Sequence, residues 1–322
     1  MTSQFVKRIA IASAVVLATF GAAAQGTYPD KPVKVVVTTV PGPLDAFARA
    51  VLEQMGKRMK ATFVVENKAG AGGNLGADIV AKAPADGYTL LFALDTTFTV
   101  NPALYRKMPF DVAKDFATIA VPVTYNQMLV VNEKVKANSV ADLVKLARGS
   151  KMTYASGGNG SPSHLTMAAF LVAAGADMTH IPYKGTGASV LDVVAGQVDA
   201  LFAVGSGVMP HVKTGKLRAL AVSSTQRTPA APEVPTVVEA GYSGFQASFA
   251  YALLAPAGTP DAIVQALARE VEAAMQTPEV RELNRAADYA ATGLTQPQAE
   301  AWMRDSRKRW AEVIEKAKIV LD

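Results

Sequence analysis

The feature that most constrains this chain is a glycine-rich loop that occurs twice, each time between a strand-like run and a run of helix formers. Ser156-Gly-Gly-Asn-Gly-Ser161 follows Met152-Thr-Tyr-Ala155 and precedes the apolar stretch Leu165 to Ala174, entered through Ser161 and Pro162. Serine as N-cap with proline at the first helical position is a strong helix start. Gly157, Gly158 and Gly160 let the backbone come close to a bound group and leave amides pointing outward, which suits an anion. The earlier copy, Gly70-Ala-Gly-Gly-Asn74, stands between Thr62-Phe-Val-Val-Glu66 and the helix-like Leu75 to Lys82. Either loop alone is equally well explained as a tight turn. Both together, with serine or asparagine at the helix entry, predict a cleft with two walls.

The candidate ligand contacts follow from that reading. They are the backbone of Gly157, Gly158, Asn159, Gly160 and Ser161, with His164 just beyond, and the backbone of Gly70, Gly72, Gly73 and Asn74. The hydroxyls of Ser156, Ser161, Thr96 and Thr97 and the turn at Tyr183, Lys184 and Gly185 join them. Each charge-assisted hydrogen bond to a carboxylate contributes roughly 1.5–3 kcal/mol. Phe98, Tyr125 and Tyr183 read equally as cleft or core, and Lys184 reads better as a solvated turn residue than as a ligand cation.

Taken in order, Val33 to Thr39 is a β-branched first strand, followed by a helix from Ala46 to Lys60 with Asp45 as its N-cap. Thr62 to Glu66 with Leu75 to Lys82 repeats the unit, and Tyr88 to Ala93 is a third strand ending in Asp95-Thr96-Thr97. Such βα repeats predict a parallel sheet flanked by helices, with ligands at the carboxyl ends of strands, where Gly42 also falls. Ile119 to Asn132 reads as a strand crossing into a second lobe. That lobe holds a helix at Val140 to Arg148, the focal loop, a helix at Ala188 to Ala195 stopped by Gly196, and a strand Val198 to Ala203 running into Gly205-Ser-Gly207. Phe245 to Ala255 carries the chain back. Thr259-Pro260 opens a helix to Met275, and Thr295-Gln-Pro-Gln298 is a capping box for a terminal helix to Ala317. The predicted division is 1–24 as a signal peptide, 25–124 with 245–322 as a discontinuous lobe 1, and 125–244 as an inserted lobe 2.

The export reading rests on Lys7 and Arg8, the apolar run Ile9 to Phe20, and Ala22-Ala-Ala24 as a cleavage site. That apolar run is short of the roughly 20 residues a membrane span needs. The predicted location is the periplasm. Without Lys7 and Arg8 the chain keeps 30 basic against 27 acidic residues, and the basic ones are scattered, so no nucleic-acid partner is implied. There is no cysteine, and only His164, His180 and His211 among histidines, at no metal-binding spacing. Neither Gly158-Asn-Gly-Ser-Pro162 nor Gly205-Ser-Gly207 fits a Gly-x-Ser-x-Gly elbow, and no P-loop or dinucleotide fingerprint is present. Catalysis, a metal and a cofactor are therefore not expected.

Val65-Glu-Asn-Lys-Ala-Gly-Ala-Gly-Gly-Asn74, Ala85-Asp-Gly-Tyr-Thr-Leu90, Tyr154-Ala-Ser-Gly-Gly-Asn-Gly-Ser161, Ile181-Pro-Tyr-Lys-Gly185, Ala195-Gly-Gln-Val-Asp199 and Ala255-Pro-Ala-Gly-Thr-Pro260 resemble the Bug family, the substrate-binding proteins of tripartite tricarboxylate transporters. The similarity runs over nearly all of the chain after Ala24. It implies an α/β periplasmic-binding-protein fold of the type II-like, Venus-flytrap kind, with two lobes joined by two crossing segments and closing on a small carboxylate. It also implies that backbone groups and ordered water of the two glycine loops hold that carboxylate, and that the partner is a membrane transporter, with a sensor kinase as the rival and a monomer as the expected state. One departure stands out. The family's first strand-to-helix loop usually reads Pro-Pro-Gly-Gly-x-x-Asp, whereas Val40-Pro-Gly-Pro-Leu-Asp45 is a residue shorter and has lost a glycine. Thr38, Thr39, Asp95 and Phe98 are further candidates for specificity. The body of the ligand stays open: a di- or tricarboxylate, an aromatic acid or an amino acid.

Overall fold

The computed structural model describes residues 28–319, so the predicted signal peptide, residues 1–24, lies outside the described residues. In chain order the first elements are β1 (Val33–Val37), α1 (Pro43–Met59), β2 (Phe63–Asn67), a 3-10 turn (Ala71–Gly73), α2 (Asn74–Ala81), β3 (Thr89–Leu94), and the short helices α3 (Thr96–Thr99) and α4 (Asn101–Leu104). Then come β4 (Phe116–Asn126), β5 (Met128–Asn132), α5 (Val140–Gly149), β6 (Thr153–Ser156), α6 (Pro162–Ala174), β7 (Thr179–Pro182), α7 (Thr186–Ala195), β8 (Ala200–Ala203), α8 (Gly205–Lys213) and β9 (Leu217–Val222). The chain closes with β10 (Ser248–Pro256), α9 (Asp261–Met275), α10 (Pro278–Ala287), β11 (Tyr289–Ala291) and α11 (Gln296–Lys316).

Two sheets result. The first has the order β11-β4-β10-β3-β1-β2, the second β7-β6-β8-β5-β9. Pairing of β1 with β2 and with β3 is parallel, as the βα repeats predict. The wholly parallel sheet expected from them does not form, because β10 pairs antiparallel with both β3 and β4, and β11 pairs antiparallel with β4. The reason is the chain path. Strand β3 runs toward the second sheet, while β10 returns from it and must therefore run the other way.

Strand alternation sorts the first sheet's core to its two faces. Val33, Val35 and Val37 pack with Phe47, Val51 and Met55 of α1, whereas Val36 packs with Ala77 and Val80 of α2 and Met303 of α11. Helix α6 is buried on nearly every side because it lies between the second sheet and α11. Its Phe170 ring meets Phe202 of β8 at 6.0 Å. The predicted caps at Ser161 and Thr295 form: Ser161 accepts from the His164 amide, and the Thr295–Gln298 capping box is complete. Asp45 is not a cap. Helix α1 starts at Pro43, three residues earlier than expected, so Asp45 sits in its first turn, where it accepts from Arg49 Nε at 2.9 Å and Asn67 Nδ2 at 2.9 Å. The Arg49 guanidinium holds the Asp45 carboxyl below its usual range.

Between β4 and β5 the chain passes from one sheet to the other at Gln127, and Ser223 joins this passage to the returning one. The Gln127 amide donates to Ser223 Oγ at 2.9 Å, and that hydroxyl donates to the Ala247 carbonyl at 2.7 Å. Helices α8 and α10 were not foreseen from the sequence. Helix α10 begins at Thr277-Pro278, with the Thr277 side chain accepting from the Val280 amide, the same start that marks α6.

Candidate functional site

The two glycine loops face each other across a cavity of about 330 Å³. Its wall on the first sheet includes Thr38, Thr39, Gly70, Gly72, Gly73 and Thr96, and on the second Asn159, Gly160 and Ser161. A neighbouring cavity of about 640 Å³ shares Thr39, Val40, Leu94 and Pro162 with it, so the two form one cleft. Among the described residues no lysine, arginine, histidine, aspartate or glutamate lines either part.

The first loop is shaped by backbone strain and by side chains behind it. Ala71 has φ 48°, Gly72 63° and Gly73 94°. A Cβ on Gly73 would lie 2.4 Å from Thr97 Oγ1, so glycine is required there by space as well as by φ. Thr97 Oγ1 and Asn101 Nδ2 both donate to the Gly72 carbonyl, at 3.1 and 3.0 Å, and Asn101 Nδ2 also reaches Asn74 Oδ1 at 2.7 Å. These bonds fix the carbonyl in place, one of them from Asn101, which itself lines the cavity. Amides Gly73 and Asn74 bond inward to Gly70 and Ala71, while the amides of Gly70, Ala71 and Gly72 make no hydrogen bond to another described residue. Thr38 Oγ1, in the same wall, is buried without a partner among the described residues. A buried hydroxyl left so costs about 1–3 kcal/mol, which a ligand acceptor would recover.

The second loop is tied by its own side chains. Gly157 donates to Ser163 Oγ at 2.9 Å, Gly158 to Ser156 Oγ at 3.1 Å and Gly160 to His164 Nδ1 at 3.0 Å. Ser161 donates to the Gly158 carbonyl at 3.1 Å. The expectation of a row of outward amides from Gly157 to Ser161 is thus corrected, because four of them are already satisfied by neighbouring acceptors. Asn159 alone of the five bonds to no described residue. Behind the loop, His164 and His180 stack with ring centroids 4.0 Å apart, and His180 Nε2 lies 2.6 Å from Ser156 Oγ. Burial lowers the pKa of His164 to about 4, with the neighbouring His180 adding to the shift, and burial lowers that of His180 too. Both rings are neutral at pH 7, as an acceptor Nδ1 on His164 requires. Ser156 is fully buried, so its pairing with His180 supports the loop and offers no nucleophile to the cleft.

Several predicted contacts therefore sit behind the cleft. Asn74 bonds Asn101 and Met108 and does not line the cavity, and Thr97 bonds the Gly72 carbonyl while its neighbour Thr96 lines the cavity, because successive residues of a helical turn point apart. Ser156, Gly157, Gly158 and His164 form the back of the second loop. Tyr183 donates to Asp192 Oδ2 at 2.6 Å, Lys184 is exposed, and the Gly185 amide bonds the Gly157 carbonyl at 3.2 Å. Gly205 is buried between the lining residues Val204 and Ser206. Gly42 does line the larger cavity, in extended backbone with φ 171°, where nothing demands glycine. Phe98 is core, against Phe110 and Phe116, whereas Tyr125 lines the larger cavity.

What sequence reasoning missed is that larger cavity's wall: Leu44, Tyr251, Leu283 and Tyr289. The rings of Tyr125, Tyr251 and Tyr289 lie within 5.3–6.1 Å of each other, and the Tyr251 and Tyr289 hydroxyls meet at 2.9 Å. The Thr277-Pro278 helix start is the signal that could have revealed Leu283. Among the described residues no cluster of acidic or histidine side chains is placed to hold a metal, and no helix is long and apolar enough to cross a membrane.

Comparison with known proteins follows the same lines. Residues 47–319 match the family TctC, the tripartite tricarboxylate transporter family receptor. The chain is 35% identical to Protein BugT of Bordetella pertussis over 307 residues, 93% of this chain and 94% of that one. A solved periplasmic transporter is 34% identical with a TM-score of 0.81, covering 92% of this chain and all of that one. An R. palustris protein solved with adipate is 30% identical with a TM-score of 0.82, covering 91% of this chain and all of that one.

Proposed function

The chain belongs to the tripartite tricarboxylate transporter receptor family, whose members are binding proteins and not enzymes, and from that premise we propose that it captures a small organic carboxylate in the periplasm and delivers it to a tripartite tricarboxylate-type membrane transporter. In this reading residues 1–24 are the export signal, residues 25–124 with 245–322 form one lobe, residues 125–244 form the other, and the lobes close about the ligand.

One observation carries the reading: the two glycine loops, one beside each sheet, face one cavity that no charged side chain among the described residues lines. An anion there is held by fixed dipoles. The N-terminus of α6, capped by Ser161, and that of α2, entered from Gly73, both open on the cavity, and helix N-termini favour negative charge. Of the predicted ligand contacts, Gly70, Gly72, Thr96, Asn159, Gly160 and Ser161 touch the anion, with Thr38 and Thr39 as additional hydroxyls. Ser156, Gly157, Gly158, His164 and Gly185 hold the loop in shape from behind. A ligand that touches both loops binds the closed form more tightly than the open one, which lets a membrane partner tell loaded from empty protein.

The test is thermal unfolding of the mature protein against a panel of small carboxylates, neutral sugars and amines. A carboxylate at about 100 times its Kd should stabilise the fold by about 2.7 kcal/mol, a rise of several degrees. Stabilisation confined to sugars or amines, or none by any acid, would overturn the proposal.

A further inference from the structure

The larger compartment of the cleft differs in chemistry from the loop end. Its walls are Leu44 and Ala46 of α1, Leu283 and Ala287 of α10, Val204, and the three rings of Tyr125, Tyr251 and Tyr289. The polar groups that reach it, among them Thr39, Gln127, Ser163 and Thr186, are neutral. Two acids flank it and no base lines it. Asp45 stands between the lining residues Leu44 and Ala46 and is paired with Arg49. Asp288 stands between Ala287 and Tyr289, with its Oδ2 only 3.5 Å from where a Cβ on Gly205 would be, and its one side-chain partner among the described residues is the neutral Thr228 hydroxyl. A second negative charge on the ligand would lose its hydration here and gain no cation from the lining residues. An aromatic or bulky aliphatic group would bury apolar surface against the tyrosine rings, which already pack edge-on and tilted with one another and with Phe47 at 5.3 Å from Tyr251.

We propose, resting on the carboxylate capture argued above, that the ligand is a monocarboxylate with an aromatic or bulky apolar body, its single charge between the glycine loops and its body in the Leu44–Tyr125–Tyr251–Leu283–Tyr289 compartment. The short first loop contributes to this choice. Pro41 and Pro43 both line the compartment and have no amide to donate, so the loop presents apolar rings where backbone donors would otherwise stand.

Isothermal titration of the full mature protein with 3-phenylpropionate, adipate, citrate and the neutral 3-phenylpropionamide tests this. The phenyl monoacid should bind at least about tenfold more tightly than either polyacid, and also than its amide. Leu283 is half-buried, so Leu283→Arg should fold, and it should weaken 3-phenylpropionate while strengthening adipate by about tenfold, because it places a cation in the compartment. Adipate or citrate binding more tightly than the monoacid to the unaltered protein would overturn this inference and leave carboxylate capture standing. An amide that binds as well as the acid, or no binding by any acid, would overturn both.

Discussion

The two glycine loops read alike in the sequence and are built differently. The first takes its shape from left-handed backbone at Ala71, Gly72 and Gly73, with Thr97 and Asn101 both bonding the Gly72 carbonyl. Its amides at Gly70, Ala71 and Gly72 are left without a partner among the described residues. The second uses ordinary hydrogen bonding from Ser156, Ser163 and His164 to occupy most of its own amides, leaving that of Asn159. A sequence motif for a backbone cradle thus says where the chain turns, and the surrounding side chains decide which donors remain for a ligand.

Four measurements would break or sharpen that contrast. The largest effect is expected for Gly73→Ala, where unfavourable φ and a Cβ at 2.4 Å from the buried Thr97 hydroxyl combine to cost about 3 kcal/mol or more, a fall of roughly 5 °C or more in Tm. A fall of under a degree would mean that the first loop is not strained as described.

Next is acid. His164 is kept neutral in the fold with a pKa of about 4, whereas the unfolded chain takes up the proton near its ordinary 6.5. Its contribution is therefore whole above pH 6.5 and is lost as pH falls toward 4, by about 2 kcal/mol between pH 7 and 5. Asp95 works with the opposite sign: burial raises its carboxyl to about 7, so its contribution is whole below its ordinary value and is lost as pH rises toward 7. Denaturant unfolding at both pH values, with His164→Gln for comparison, isolates the histidine. An unchanged slope in that variant would remove His164 from the account.

Ser156→Ala should cost about 1–3 kcal/mol by stranding the Gly158 amide and His180, and it should weaken ligand binding without abolishing it. Complete loss of binding with unaltered stability would instead put Ser156 in direct contact with the ligand. The smallest effect is expected for Gly42→Ala, within about 0.5 kcal/mol, since its backbone is extended and the added Cβ meets only the Val40 carbonyl at 3.7 Å. A large loss there would show that the short first loop is as constrained as the second.

By itself the sequence determined what depends on neighbours a few residues away. The Ser161-Pro162 start of α6, the Gly196 stop of α7, the Thr295–Gln298 capping box and the β-branched first strand were all legible, because caps, left-handed turns and side-chain periodicity are local. Tertiary structure decided the rest. Asp45 became an ion-pair partner instead of a cap because Asn67 and Arg49 converge on it, and the direction of β10 followed from the side on which the chain returns. Which loop amides stay free, and the meeting of Tyr125, Tyr251 and Tyr289 in one wall, depend on contacts between residues far apart in sequence, whose pairing no local pattern encodes.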